Sequence, residues 1–60
     1  MAFEAILAEA AQLHKVSNRL EVLAEQHPPV SEALMVISGS VRDTATVLEV
    51  LIVTKTAKPN

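Results

Sequence analysis

Apolar and polar residues alternate along residues 3–24 with the period of an α-helix. Apolar or small side chains recur at steps of three and four, the spacing that keeps residues on one side of a helix: Phe3, Ile6, Ala10, Leu13, Ser17, Leu20 and Ala24. The charged side chains of this segment fall between those positions. The pattern predicts an amphipathic helix over about residues 2–26.

Two consecutive prolines interrupt this pattern. Pro28 disfavours helical geometry at His27, and Pro29 does the same at Pro28. The steps of three and four then resume at Leu34, Ile37, Val41, Thr44, Leu48 and Leu51. We therefore expect a second helix over about residues 30–56. A short proline-rich connection between two amphipathic helices favours an antiparallel helical hairpin, so residues 1–60 should form one all-α domain.

Gly39 is the only glycine of the chain, and it lies inside the second predicted helix. One interpretation is a continuous helix, because the apolar pattern passes through Gly39 without a shift and a lone glycine costs only about 1 kcal/mol there. The alternative is a break at Gly39, because residues 40–43, SVRD, resemble a capping box. We favour the continuous helix, in which Ser17, Gly39 and Ser40 allow the two helices to cross closely.

Residues 47–53, VLEVLIV, would be apolar around nearly the whole circumference of a helix. One neighbouring helix cannot cover such a surface, and a chain of 60 residues without cysteine has little other means of gaining stability. These features predict a homodimeric four-helix bundle. The residues expected at the interface are Leu13, Leu20, Ile37, Val41, Leu48, Leu51 and Ile52. A β-strand is the alternative for this β-branched segment, and it would also need a partner chain.

Composition and charge point to a soluble protein of the cytoplasm. The net charge is −2, and the first residues lack the basic start of a secretory signal. No apolar run approaches the roughly 20 residues that a membrane-spanning helix requires. A role on the membrane surface is a further alternative, but the glutamates of the polar faces oppose it.

The sequence lacks the residue combinations of common catalytic and metal sites. It has no cysteine, no glycine-rich phosphate loop and no His-Glu-x-x-His motif. Di-iron helical bundles use Glu-x-x-His, but Ala11 and Ala24 stand three residues before His14 and His27. We therefore expect no enzymatic activity, no catalytic or metal-binding residue and no cofactor.

Two functions remain after these exclusions. The leading hypothesis is a homo-oligomeric protein that acts through protein–protein interaction, as an adaptor, assembly or regulatory component. The alternative is a nucleic-acid-binding regulator with a small basic patch at Lys15, Arg19 and Arg42. That alternative resembles, in architecture alone and without a shared motif, the two-helix hairpin dimers of the Rop type, which bind paired RNA loops.

Overall fold

Two long α-helices pack side by side as an antiparallel hairpin. The computed structural model describes residues 3–56, in which α1 spans Phe3–Gln26 and α2 spans Ser31–Thr56. A single turn of 3₁₀-helix, Pro28–Val30, connects them. The predicted helical hairpin is thus confirmed. Residue 2, where the first helix was expected to begin, lies outside the described residues.

The prolines end α1 as expected from the sequence. His27, which precedes Pro28, has an extended φ of −131° and is the first residue outside the helix. Its ring nitrogen Nδ1 donates a hydrogen bond to the carbonyl oxygen of Leu23 at 2.9 Å. The backbone N–H of Val30 donates to the carbonyl oxygen of His27 at 3.0 Å. These two bonds use free backbone groups at the turn and fix the direction in which α2 departs.

A line of small side chains forms the contact between the helices, which we call the seam. Its six residues are buried and recur every seventh position on each helix: Ala10, Ser17 and Ala24 on α1, and Ser38, Ala45 and Ile52 on α2. A repeat of seven keeps the same side of each helix against its neighbour. Because five of the six side chains are alanine or serine, the two backbones can approach closely.

Two serines at the middle of the seam fix how the helices align. The Ser17 and Ser38 hydroxyl oxygens lie 2.9 Å apart, and each also lies within 3.0 Å of the other residue's carbonyl oxygen. Each hydroxyl can donate one proton, so two of these three contacts are hydrogen bonds at any moment. The repeat of seven extends this alignment to Ala10 opposite Ala45 and Phe3 opposite Ile52.

This alignment differs from the close crossing that the sequence suggested. Ser17 contacts Ser38, whereas Ser40 is exposed. Three residues of α2 were expected to face α1, namely Ile37, Thr44 and Leu51. Each stands one position before a seam residue and is exposed. Helix α2 is continuous through Gly39, as expected. A Cβ atom added to Gly39 would meet nothing within 4 Å, so the glycine is not a packing contact.

Gly39 should therefore accept alanine with a gain in stability. Glycine in a helix interior costs up to about 1 kcal/mol relative to alanine, and here no neighbour opposes the added methyl group. We expect Gly39→Ala to raise the free energy of unfolding by about 0.5–1 kcal/mol in urea titrations followed by circular dichroism. A loss of stability would show that Gly39 sits against another surface.

Candidate interaction face

One broad side of the hairpin carries charged pairs that connect the two helices. His14 Nε2 lies 3.2 Å from Glu49 Oε2, and Arg42 forms an ion pair with Glu21. We call these four residues the polar face. All four side chains are about one-third to one-half exposed, so each pair contributes at most about 1 kcal/mol to stability. The charged side chains of the polar face therefore remain partly hydrated in the hairpin.

The opposite broad side is almost entirely apolar. The polar-face residues stand four positions after a seam residue, on one side of the seam. On both helices, residues three positions after a seam residue or one position before it lie on the other side. We call the resulting surface the apolar face, which consists of Ile6, Leu13, Val16, Leu20 and Leu23 on α1 and Leu34, Ile37, Val41, Thr44, Leu48 and Leu51 on α2. Every one of these side chains is half-buried or exposed. The hairpin thus has one face that carries charged pairs, with exposed Leu7 and Met35 in the same rows, and an opposite face that is largely apolar.

The apolar face continues into an open pocket at the free end of the hairpin. This pocket has a volume of about 390 Å³ and is lined by Phe3, Ile6, Leu51, Ile52 and Lys55. Ile6 and Leu51 belong to both surfaces. Of the lining residues only Lys55 carries a charge, so the pocket lengthens the apolar surface.

The residues expected at an oligomer interface lie in two different places. Six of the seven belong to the apolar face: Leu13, Leu20, Ile37, Val41, Leu48 and Leu51. Ile52 is only 5% exposed because it is part of the seam. Its side chain is used by the hairpin itself and offers little surface to a second chain.

The structure does not bring together the three cations of the suggested basic patch. Lys15 and Arg19 are exposed on the outer side of α1, away from the seam. Arg42 lies on the polar face and is held by Glu21. The carboxylate partly neutralises Arg42, so a phosphate group would have to compete for it.

Several hydroxyl side chains form hydrogen bonds within the hairpin. The buried hydroxyls of Ser17 and Ser38 satisfy each other. Thr44 donates to the carbonyl oxygen of Ser40, four residues earlier in the same helix. Within residues 3–56, no three His, Cys, Asp or Glu side chains are grouped as a metal site would require.

Sequence reasoning missed the seam on α2 and the Glu21–Arg42 pair. A signal for the seam was present, because small residues repeat every seven positions on both helices. Ala10, Ser17 and Ala24 on α1 match Ser31, Ser38 and Ala45 on α2. The ion pair becomes visible only once the alignment of Ser17 with Ser38 is known.

Comparison with known proteins gives no relative for this hairpin. No protein-family model matches the chain, and no curated protein or solved structure matches it. Within the part of the chain that the structure describes, neither helix has a stretch long and apolar enough to cross a membrane.

Proposed function

We propose that the protein is a homodimer that acts through protein–protein interaction, as an adaptor, assembly or regulatory component. The apolar face carries this proposal. In a lone hairpin its leucine, isoleucine and valine side chains remain half-buried or exposed along both helices. Contact with a second copy would remove them from water, which is the main favourable term in association.

The exposed area of the hairpin leaves room for a second copy. The chain exposes 4479 Å². A compact monomer of the same mass exposes about 3,800 Å², and each partner in a standard interface buries about 800 Å². The hairpin thus exposes more surface than a compact monomer of its mass, and a second copy could cover part of it. Stacking two apolar faces gives a four-helix bundle with the polar faces outside.

A second apolar surface supports a role beyond self-association. Val36, Val47 and Val50 lie on the side of α2 opposite α1, which we call the outer side of α2, and they are 70%, 65% and 57% exposed. Val36 and Val50 stand two positions before a seam residue and lean away from the apolar face, so a dimer formed through that face leaves them in water, whereas Val47 borders the contact. A bundle with this remaining apolar surface is suited to hold another protein.

Two adjacent residues allow a matched test of the dimer. Ile37 belongs to the apolar face and is 49% exposed, whereas Val36 lies on the outer side of α2. Neither side chain is part of the seam, so glutamate at either position should leave the hairpin itself intact. In the dimer, Ile37→Glu would place an unpaired carboxylate in an apolar contact.

We expect sedimentation equilibrium to give a mass of two chains at low micromolar concentration for the unmodified protein and for Val36→Glu. Ile37→Glu should give a mass of one chain while keeping helical circular dichroism. A single-chain mass for the unmodified protein up to several hundred micromolar would refute the homodimer. Two-chain masses for both variants would place the interface elsewhere.

A further inference from the structure

One charged residue interrupts the α1 half of the apolar face. Glu9 lies three residues after Ile6 and four before Leu13, so it projects from the same side of α1. It is exposed in the hairpin. Among residues 3–56 neither Glu9 nor Arg19 takes part in an ion pair. A dimer through the apolar face would bring this carboxylate against the second protomer.

Two symmetric dimers can bury the apolar face. If the two-fold axis runs along the hairpin, α1 packs on the partner's α2 and both proline turns lie at the same end. If the axis runs across the hairpin, α1 packs on the partner's α1 in the antiparallel direction and the turns lie at opposite ends. Both dimers would bury a similar apolar area. The α1 and α2 halves of the apolar face have midpoints within about one helical turn of each other along the hairpin, so either half of one protomer can lie level with either half of the other.

The surroundings of Glu9 distinguish these two dimers. With the turns together, Glu9 would lie level with the partner's Thr46, between Thr44 and Leu48 of the apolar face. The partner's nearest cation on that side of α2 is Lys55, nine residues farther along, or about 13 Å. Glu9 would then lose water without gaining a cation, which is costly.

With the turns apart, the α1 half of the apolar face matches itself. Ile6 falls opposite the partner's Leu23, and Leu13 falls opposite the partner's Val16. Glu9 then falls opposite the partner's Leu20, beside the partner's Arg19. Arg19 is exposed at the edge of this contact, and its long side chain can reach the carboxylate. Two-fold symmetry forms the pair twice.

We propose that the dimer is antiparallel, with the proline turns at opposite ends and reciprocal Glu9–Arg19 ion pairs between the protomers. This inference rests on the proposed homodimer and specifies its partner surface. The two dimer orientations bury similar apolar surfaces, and opposite charges at the rim of the contact favour one of them.

Exchange of the two charges tests the ion pair. Glu9→Arg and Arg19→Glu should each weaken the dimer about tenfold or more, because each places like charges together at two symmetric positions. The double variant Glu9→Arg/Arg19→Glu should return to within about threefold of the unmodified protein. Glu25→Arg, on the polar side of α1, is the matched control and should have little effect. Additive weakening in the double variant would overturn the proposal.

Distance measurement tests the orientation separately from the existence of the dimer. The chain has no cysteine, so Gln26→Cys gives one spin label per protomer at the turn end of α1. In double electron–electron resonance, the antiparallel dimer should give a distance of about 35 Å, because the two labels lie at opposite ends of the bundle. A distance below about 25 Å would mean a dimer with the turns together, which overturns the orientation and retains the proposed function. No dipolar coupling at high protein concentration would refute both.

Discussion

Replacing Ser38 with leucine should unfold the hairpin, whereas replacing Ser40 with leucine should leave it folded. The two serines stand on the same helix, two residues apart, but only Ser38 lies in the seam. It is buried, while Ser40 is exposed. The same chemical change therefore adds bulk to a close contact in one case and to solvent in the other.

Two costs combine at Ser38. A leucine side chain does not fit between helices separated by serine and alanine, and overpacking of this kind typically costs about 1–3 kcal/mol. The change also removes the Ser38 hydroxyl and so one net hydrogen bond, about 0.5–1.5 kcal/mol, while Ser17 can still donate to the Ser38 carbonyl oxygen. The total of the two costs, about 1.5–4.5 kcal/mol, is comparable to the whole stability of a domain of this size.

Urea titration followed by circular dichroism would measure this effect at a fixed protein concentration, because unfolding of a dimer depends on concentration. Ser38→Leu should lack a cooperative transition or show a much lower midpoint, and Ser40→Leu should match the unmodified protein. If Ser40→Leu were instead the damaging change, the helices would align through Ser17 and Ser40, as the sequence first suggested.

The helices and the turn could be predicted from the sequence because each has a local cause. Steps of three and four specify both helices, and Pro28 together with Pro29 fixes where α1 ends. The continuity of α2 through Gly39 also followed from the unbroken apolar pattern. None of these inferences required knowledge of how one helix lies against the other.

The alignment of the helices could not be predicted in the same way. Large apolar residues dominate any reading of hydrophobic pattern, and those on α2 point to a line through Ile37 and Leu51. The close contact instead selects small residues, because the closest approach of two backbones leaves no room for large ones. Alanine and serine carry little weight on a hydrophobicity scale, so Ser38 and Ala45 gave no strong signal.

This distinction explains why the predicted interface residues lie mostly on the apolar face. The large apolar residues of α2 were expected to serve both the contact with α1 and the contact with a second chain. The structure separates these roles: Leu34, Val41 and Leu48 contribute half-buried surface, and Ile37 and Leu51 extend it outward. The surplus of apolar residues in α2 is thus a surface of the hairpin that is available for contact with a second chain.

The free end of the hairpin should depend strongly on Ile52. This residue is the only large apolar side chain of the seam, and it lines the pocket together with Phe3 and Ile6. The other seam positions hold small residues, whereas here a large side chain is buried between the helices. Ile52→Ala should therefore lower the free energy of unfolding by about 2–5 kcal/mol, the usual cost of such a cavity in a core.

Val53→Ala provides the matched comparison, since Val53 is adjacent in the chain and exposed. Its replacement should change the stability by less than about 0.5 kcal/mol, because alanine favours the helix and little buried surface is lost. Hydrogen exchange would locate the effect. In Ile52→Ala, the amides of residues 48–55 should lose protection through local opening, while the amides beside Ser17 and Ser38 should exchange only through global unfolding. Equal losses of stability in the two variants would mean that Ile52 is not held between the helices, and the seam would then end at Ala10 and Ala45.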